Sequence, residues 1–135
     1  MPRRLAVALI AALLLPALAA AEEKKAAKKP TGTYSREAGD RKLAFAFKAD
    51  TLTISLTAGE TKMTIEADYG VTKEGVLYGV MTKVEKKGTD AGPSKGDLFS
   101  FQFDVSGSEL TISDLKGTHV NDESRKIVEG VYKKE

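Results

Sequence analysis

Four groups of residues carry side chains that could do chemistry. Gly92-Pro93-Ser94-Lys95-Gly96 has the form G-x-S-x-G, with Asp97 beside it and the single histidine, His119, further along. A serine, an imidazole and a carboxylate are the parts of an acyl-transfer triad. That motif works on a sharp strand-to-helix turn in an α/β sheet. Here the residues after Gly96 alternate like a strand, so the segment reads as a flexible glycine-rich loop. His119, Asn121, Asp122 and Glu123 form the second group. Their oxygens could touch a calcium ion, but the EF-hand spacing is missing, and one histidine cannot make a two-histidine metal site. They read as a solvated polar turn. Glu66 and Asp68, the third group, share one face of an alternating segment. A carboxylate pair that cleaves glycosides needs a deep cleft, and no long loops exist to build one. No catalytic residue, metal or cofactor is therefore expected, and the chain does not read as an enzyme.

The fourth group is Phe45, Tyr69, Tyr78 and Phe101. Their parity places all four on the dry face of the strands described below. Aromatic bodies with two hydroxyl tips could line a cavity and orient a small apolar ligand. These four are the candidate ligand-binding residues. With five phenylalanines on inward parity, the interior leans toward filled rather than hollow.

The elements that would position these residues are strands. From Thr31 onward the dominant period is two. Leu43, Phe45 and Phe47 alternate with small or polar residues. So do Leu52, Ile54 and Leu56, then Met63, Ile65, Ala67 and Tyr69. Val76, Tyr78, Val80 and Val84 share a parity. Phe99, Phe101, Phe103 and Val105 follow, then Leu110 and Ile112; in the last segment Ile127, Glu129 and Val131 face one way and Val128, Gly130 and Tyr132 the other. Gly39-Asp40, Ala58-Gly59-Glu60, Gly70 to Gly75 and Ser106-Gly107-Ser108 supply turn chemistry. Spacers this short allow hairpins and exclude crossover helices. With a first strand at Gly32-Thr33-Tyr34-Ser35, the expectation is all-β: an antiparallel up-and-down meander of about eight strands. Closing the first strand onto the last removes both open edges. A two-sheet sandwich is the alternative. Two stretches, Lys86 to Asp97 and Gly117 to Ser124, read as surface loops. Phe45-Ala46-Phe47 and Leu52-Thr53-Ile54 are echoed by Phe101-Gln102-Phe103 and Leu110-Thr111-Ile112. Duplication of a four-strand unit would explain the echo, and so would a meander reusing the same few residue types.

Residues 1–21 read as a secretory signal peptide: Arg3 and Arg4, an apolar run from Leu5 to Leu15, Pro16, then A-x-A cleavage sites. The chain is expected to be exported, periplasmic or secreted, with no integral membrane segment after cleavage. Residues 22–30, rich in Lys, Glu and Ala, read as a disordered tether, and 31–135 as one β-barrel domain. The chain has 135 residues and a formal charge of +2. The signal carries two arginines and no acid, so the remainder is neutral. A neutral chain without an aromatic-basic stripe argues against nucleic acid. With no tryptophan and almost no side-chain amides, sugar recognition is disfavoured. Zero cysteines exclude disulfides.

Gly32-Thr33-Tyr34-Ser35, the two Leu-Thr-Ile strands and the closing Glu129-Gly130-Val131-Tyr132 resemble small exported bacterial calycin or lipocalin-like domains. The resemblance spans 31–134. It implies a barrel and an apolar interior, and it carries over no binding residue; Tyr34 stands where lipocalins usually carry tryptophan. Two non-enzymatic roles follow. The first is a structural or protein-interaction β-domain with a protein partner. The alternative is a lipocalin-like carrier of a small apolar ligand held in the barrel. An apolar cavity of several hundred cubic ångströms would favour the carrier.

Overall fold

A computed structural model describes residues 29–135. The segment expected to be a signal peptide and nearly all of the expected tether lie outside the described residues. Eight strands run β1 (Gly32–Ala38), β2 (Arg41–Phe47), β3 (Thr51–Ala58), β4 (Thr61–Val71), β5 (Val76–Lys87), β6 (Leu98–Ser106), β7 (Glu109–Gly117) and β8 (Gly130–Lys134). Each pairs antiparallel with the next, and β8 pairs with β1, giving a closed up-and-down barrel. The sandwich alternative is thereby set aside.

Three hairpins share one device. Gly39-Asp40, Gly59-Glu60 and Gly107-Ser108 are two-residue loops with glycine first, at φ 66°, 61° and 61°. A positive φ at the first loop position belongs to the type II′ turn, whose twist matches that of the flanking strands. Because strand direction alternates, the β1–β2, β3–β4, β5–β6 and β7–β8 connections gather at one end. The other three connections and both ends of the described chain gather at the opposite end.

That opposite end is closed by aromatic packing. Phe45 meets Tyr132, Phe101 and Phe47 at ring-centroid distances of 5.1, 5.9 and 6.2 Å. Phe47 meets Tyr34 and Tyr69 at 6.0 Å each, edge to face. Leu52, Leu77, Phe103 and Leu110 complete the buried set. Edge-to-face pairs add about 0.5–1.5 kcal/mol beyond area burial. Lys29 and Pro30, assigned to the tether by composition, lie against this end. Pro30 is buried, and the Lys29 ammonium bonds the Ala49 carbonyl and sits 5.0 Å from the Tyr69 ring centre. The echoed segments fall on β2–β3 and β6–β7, four strands apart, and Phe45 and Phe101 meet between them.

Two strands carry an extra residue. On β5, Lys83 pairs Glu66 but Met81 pairs Ala67, so Thr82 bulges. On β7, Lys116 pairs Ser100 and Ser113 pairs Gln102, so two residues, Asp114 and Leu115, stand opposite Phe101 alone. Asp114 is left-handed, at φ 52°, a conformation aspartate tolerates better than most residues. A bulge reverses the facing of everything beyond it. This corrects the expected face of Tyr78. Counting back by twos from Val84 puts Tyr78 inside; the extra Thr82 puts Leu77, Gly79 and Met81 there instead. Tyr78 is 52% exposed on the outer wall, while its neighbour Leu77 is fully buried. Position 79 admits only glycine, since a Cβ would stand 2.7 Å from both the Asp68 carbonyl and the Phe99 ring.

A second correction concerns Gly117 to Ser124 and the residues after it. Asp122–Val128 form a two-turn helix, α1, where a polar loop and the start of a strand were expected. Asn121 caps it by accepting from the Ser124 backbone N–H at 2.9 Å, with Asp122 and Glu123 in the first turn and Arg125 and Lys126 in the last. Cap and charge order both favour a helix. Seven residues do not sustain a helix in water, so α1 depends on what it packs against.

Candidate functional site

The end opposite the aromatic plug holds a cavity of about 670 Å³. Phe45 and Phe101 form its floor. Leu43, Leu56, Ile65 and Met81 are prominent in its walls. Its polar lining is confined to the mouth: Arg41, Thr61, Thr89, Asp97, His119, Asn121, Glu123 and Ser124. Ligand cavities in proteins commonly run about 300–1,000 Å³ and are mostly apolar with a few polar groups. This one has that size and that gradient.

The mouth exists because two strands outrun their neighbours. β5 continues to Lys87, but its pairing with β6 stops at Val80. The loop 88–97 fills that gap. Its base is tied to β5: the Gly96 N–H donates to the Met81 carbonyl at 2.7 Å, and the Met81 N–H to the Asp97 carbonyl at 2.9 Å. The Asp97 side chain ties it to the next connection. Its carboxylate accepts from the Ser94 N–H at 3.0 Å and bonds His119 Nδ1. These two bonds, the backbone one first, hold the Asp97 carboxyl below its usual pKa.

The second gap lies between β1 and β8. Only Tyr34 and Ser35 of β1 pair with β8, so Arg36, Glu37 and Ala38 are paired on the β2 side alone. Helix α1 stands over this gap, and four bonds fix it. Arg36 Nη1 donates to the Ile127 carbonyl at 2.6 Å, and the Tyr132 hydroxyl to the Val128 carbonyl at 2.5 Å. Arg125 Nε donates to the Leu115 carbonyl at 3.0 Å, and the Leu115 N–H to Glu129 Oε2 at 2.9 Å. Burial pushes the Tyr132 hydroxyl pKa well up, against a smaller opposing pull from Arg36.

Of the four candidate ligand-binding residues, Phe45 and Phe101 lie together at the cavity floor. Tyr69 is half-buried at the closed end, its hydroxyl donating to the Lys48 carbonyl at 2.5 Å. Burial, and then the Asp50 charge, raise its pKa. Tyr78 is outside. Sequence reasoning missed Leu56, Met63 and Met81 as cavity walls and Arg41 as a rim residue. The periodicity contained the first two; nothing in it told which end of the barrel was open.

The groups weighed for other chemistry resolve as follows. Asp97 and His119 meet, and Ser94 joins them through its backbone N–H; the strand after Gly96 leaves Ser94 without a strand-to-helix elbow. Asn121 Oδ1 is engaged by Ser124 and Asp122 by Arg125. Among the described residues no three of His, Asp and Glu converge as a metal site, and no helix is long and apolar enough to cross a membrane. Glu66 faces solvent and reaches Lys83 at 4.0 Å. A broader depression of about 780 Å³ lies on the outer wall around Tyr78, Val80 and Leu98; it is shallow and open to solvent.

No protein-family model matches the chain, and no curated protein or solved structure matches it at a significant level.

Proposed function

We propose that the domain is a non-enzymatic carrier, of the calycin or lipocalin-like kind, that holds a small apolar molecule inside the barrel. The observation that carries this reading is the 670 Å³ interior cavity, apolar at its floor and polar only at its rim. The signal-like residues 1–21 support work outside the cytoplasm. Titration with an uncharged apolar fluorophore, N-phenylnaphthylamine, tests the reading. Fluorescence should rise with saturation near one site per chain. Leu56→Trp, which fills the cavity from a half-buried wall position, should abolish the rise. Tyr78→Ser, on the outer wall, should leave it unchanged.

The structural or protein-interaction reading retains one observation in its favour. Tyr78 and Leu98, 52% and 62% exposed, are diagonal neighbours on the outer wall, each opposite the other's second neighbour across β5 and β6. Probe binding lost in Tyr78→Ser and kept in Leu56→Trp would move the working surface there.

A further inference from the structure

Polarity along the cavity has one direction. From the Phe45 and Ile54 floor to the Arg41 and Ala58 rim is four residues of strand, roughly 13 Å at 3.3–3.4 Å per residue. Every charged or hydroxyl-bearing lining group is at the rim. An occupant that fills the depth is therefore apolar along its length and free to be polar at one end. Which polar end the rim accepts depends on which charges are already engaged. Asp97 is bonded to His119 and Ser94, and Asp122 to Arg125 at 3.0 Å. Among the described residues, Arg41, Lys126 and Glu123 have no ion-pair partner.

These three groups meet at one place. A smaller cavity of about 440 Å³ opens between the β1–β2 turn and α1 and is lined by Ala38, Arg41, Leu43, Asp122, Glu123, Lys126 and Ile127. It shares Arg41, Leu43, Glu123 and Ile127 with the main cavity. It sits where β1 runs on past its pairing with β8, so the barrel has a side opening as well as a mouth. Arg41, on β2, faces Glu123 and Lys126, which stand three residues apart on α1.

We propose that the ligand is a single-chain amphiphile with an anionic head, its tail against Leu43, Phe45, Leu56 and Ile65 and its head beside Arg41 at this side opening. The proposal rests on the carrier reading and names its ligand class. A guanidinium holds a carboxylate or sulfate with two parallel hydrogen bonds. Lys126 adds charge and Glu123 discriminates against dianions, so the rim selects one negative charge.

The test is displacement of N-phenylnaphthylamine from the full domain by dodecanoate and by dodecyltrimethylammonium, which have similar tails and opposite heads. Dodecanoate should displace the probe at about five- to tenfold lower concentration, the range expected of a partly solvated charge-assisted contact. Arg41→Glu, an exposed substitution beside a turn, should reverse the preference, whereas Tyr78→Ser on the outer wall should leave both the preference and probe affinity unchanged. Raising salt should shrink the dodecanoate advantage. Equal displacement by both, unaltered in Arg41→Glu, would overturn the head-group proposal and leave the carrier reading standing. Preference for the cation would make Glu123 the recognising group and overturn it equally. A probe displaced by neither amphiphile would exclude chain-like ligands. Failure of the probe itself to bind would remove the carrier reading and this proposal together.

Discussion

The two ends of the barrel are built from the same strands and differ in what fills them. On β3, Leu52 at the closed end is fully buried, while Ile54 and Leu56, two and four residues further, are half-buried. The pattern of the strand is the same throughout; the environment it enters is not. At the closed end rings from β1, β2, β4, β6 and β8 cross the bore and leave no room. At the open end the inward residues are mainly leucine, isoleucine and methionine, which line a wall without reaching its far side, with Phe99 stacked on the floor ring of Phe101. Aromatic residues span a bore of this size and aliphatic ones line it. Packing is thus concentrated at one end and open volume at the other.

The largest expected effect tests that division. Phe45→Ala removes a ring that touches three others and should cost about 3–5 kcal/mol, read by denaturant unfolding. Leu56→Ala, at the open end of the neighbouring strand, should cost about a third of that and leave probe binding intact or tighter, because it widens a space already there. Equal losses would show that both ends are packed alike.

Next in size is Tyr132→Phe. It leaves the Val128 carbonyl without its donor and Arg36 without one neighbour, so about 1–2 kcal/mol is expected. The same hydroxyl makes a pH prediction. Its folded pKa lies above the ordinary value of 10.0, so the stabilisation is complete below pH 10 and is lost as pH rises through the elevated folded value. Wild type should lose stability on that alkaline side, and Tyr132→Phe should show a shallower slope.

The division between ends was only partly legible in the residues. Alternation named the inward face of β2, β3, β4 and β6 correctly, because one face dry and one wet leaves a period of two wherever the ladder is regular. It failed at β5 because Thr82 is an ordinary strand residue, and nothing local marks it as the one without a partner. At Asp114 the signal was faint but physical: an aspartate on the expected inward parity after Leu110 and Ile112 is costly to bury, and the bulge puts Leu115 inside instead. Helix α1 was missed for a different reason. Its capping residues were visible as a polar cluster, Asn121 to Glu123, and were weighed for metal chemistry rather than as a helix start. The cavity was beyond reach, since five inward phenylalanines say how much volume is filled and not at which end.

A smaller effect is expected at the loop that covers the mouth. Asp97→Asn weakens the tie between 88–97 and the β7–β8 connection. The Asp97 carboxyl is held below its ordinary value of 3.8, so its contribution is present above about that pH and is lost as pH falls through the depressed folded value. Global unfolding should change little at pH 7. Hydrogen exchange at Ser94 and Gly96 should accelerate, and the acid-side slope of stability should flatten. A large global loss would mean that the open end carries stability the plug was assigned.

Tyr78→Ser should be nearly silent, within about 0.5 kcal/mol, as expected of an exposed position. Its neighbour makes the comparison sharp. Leu77→Ala should cost about 2–5 kcal/mol, although the two residues are adjacent and both apolar. The contrast depends entirely on the unpaired Thr82. If β5 ran without the bulge, Tyr78 would take the place that Leu77 holds between Val71 and Phe101, and its loss would exceed that of Leu77. A costly Tyr78→Ser with a mild Leu77→Ala would therefore relocate the bulge, turn Met81 out of the cavity wall and redraw the floor of the site.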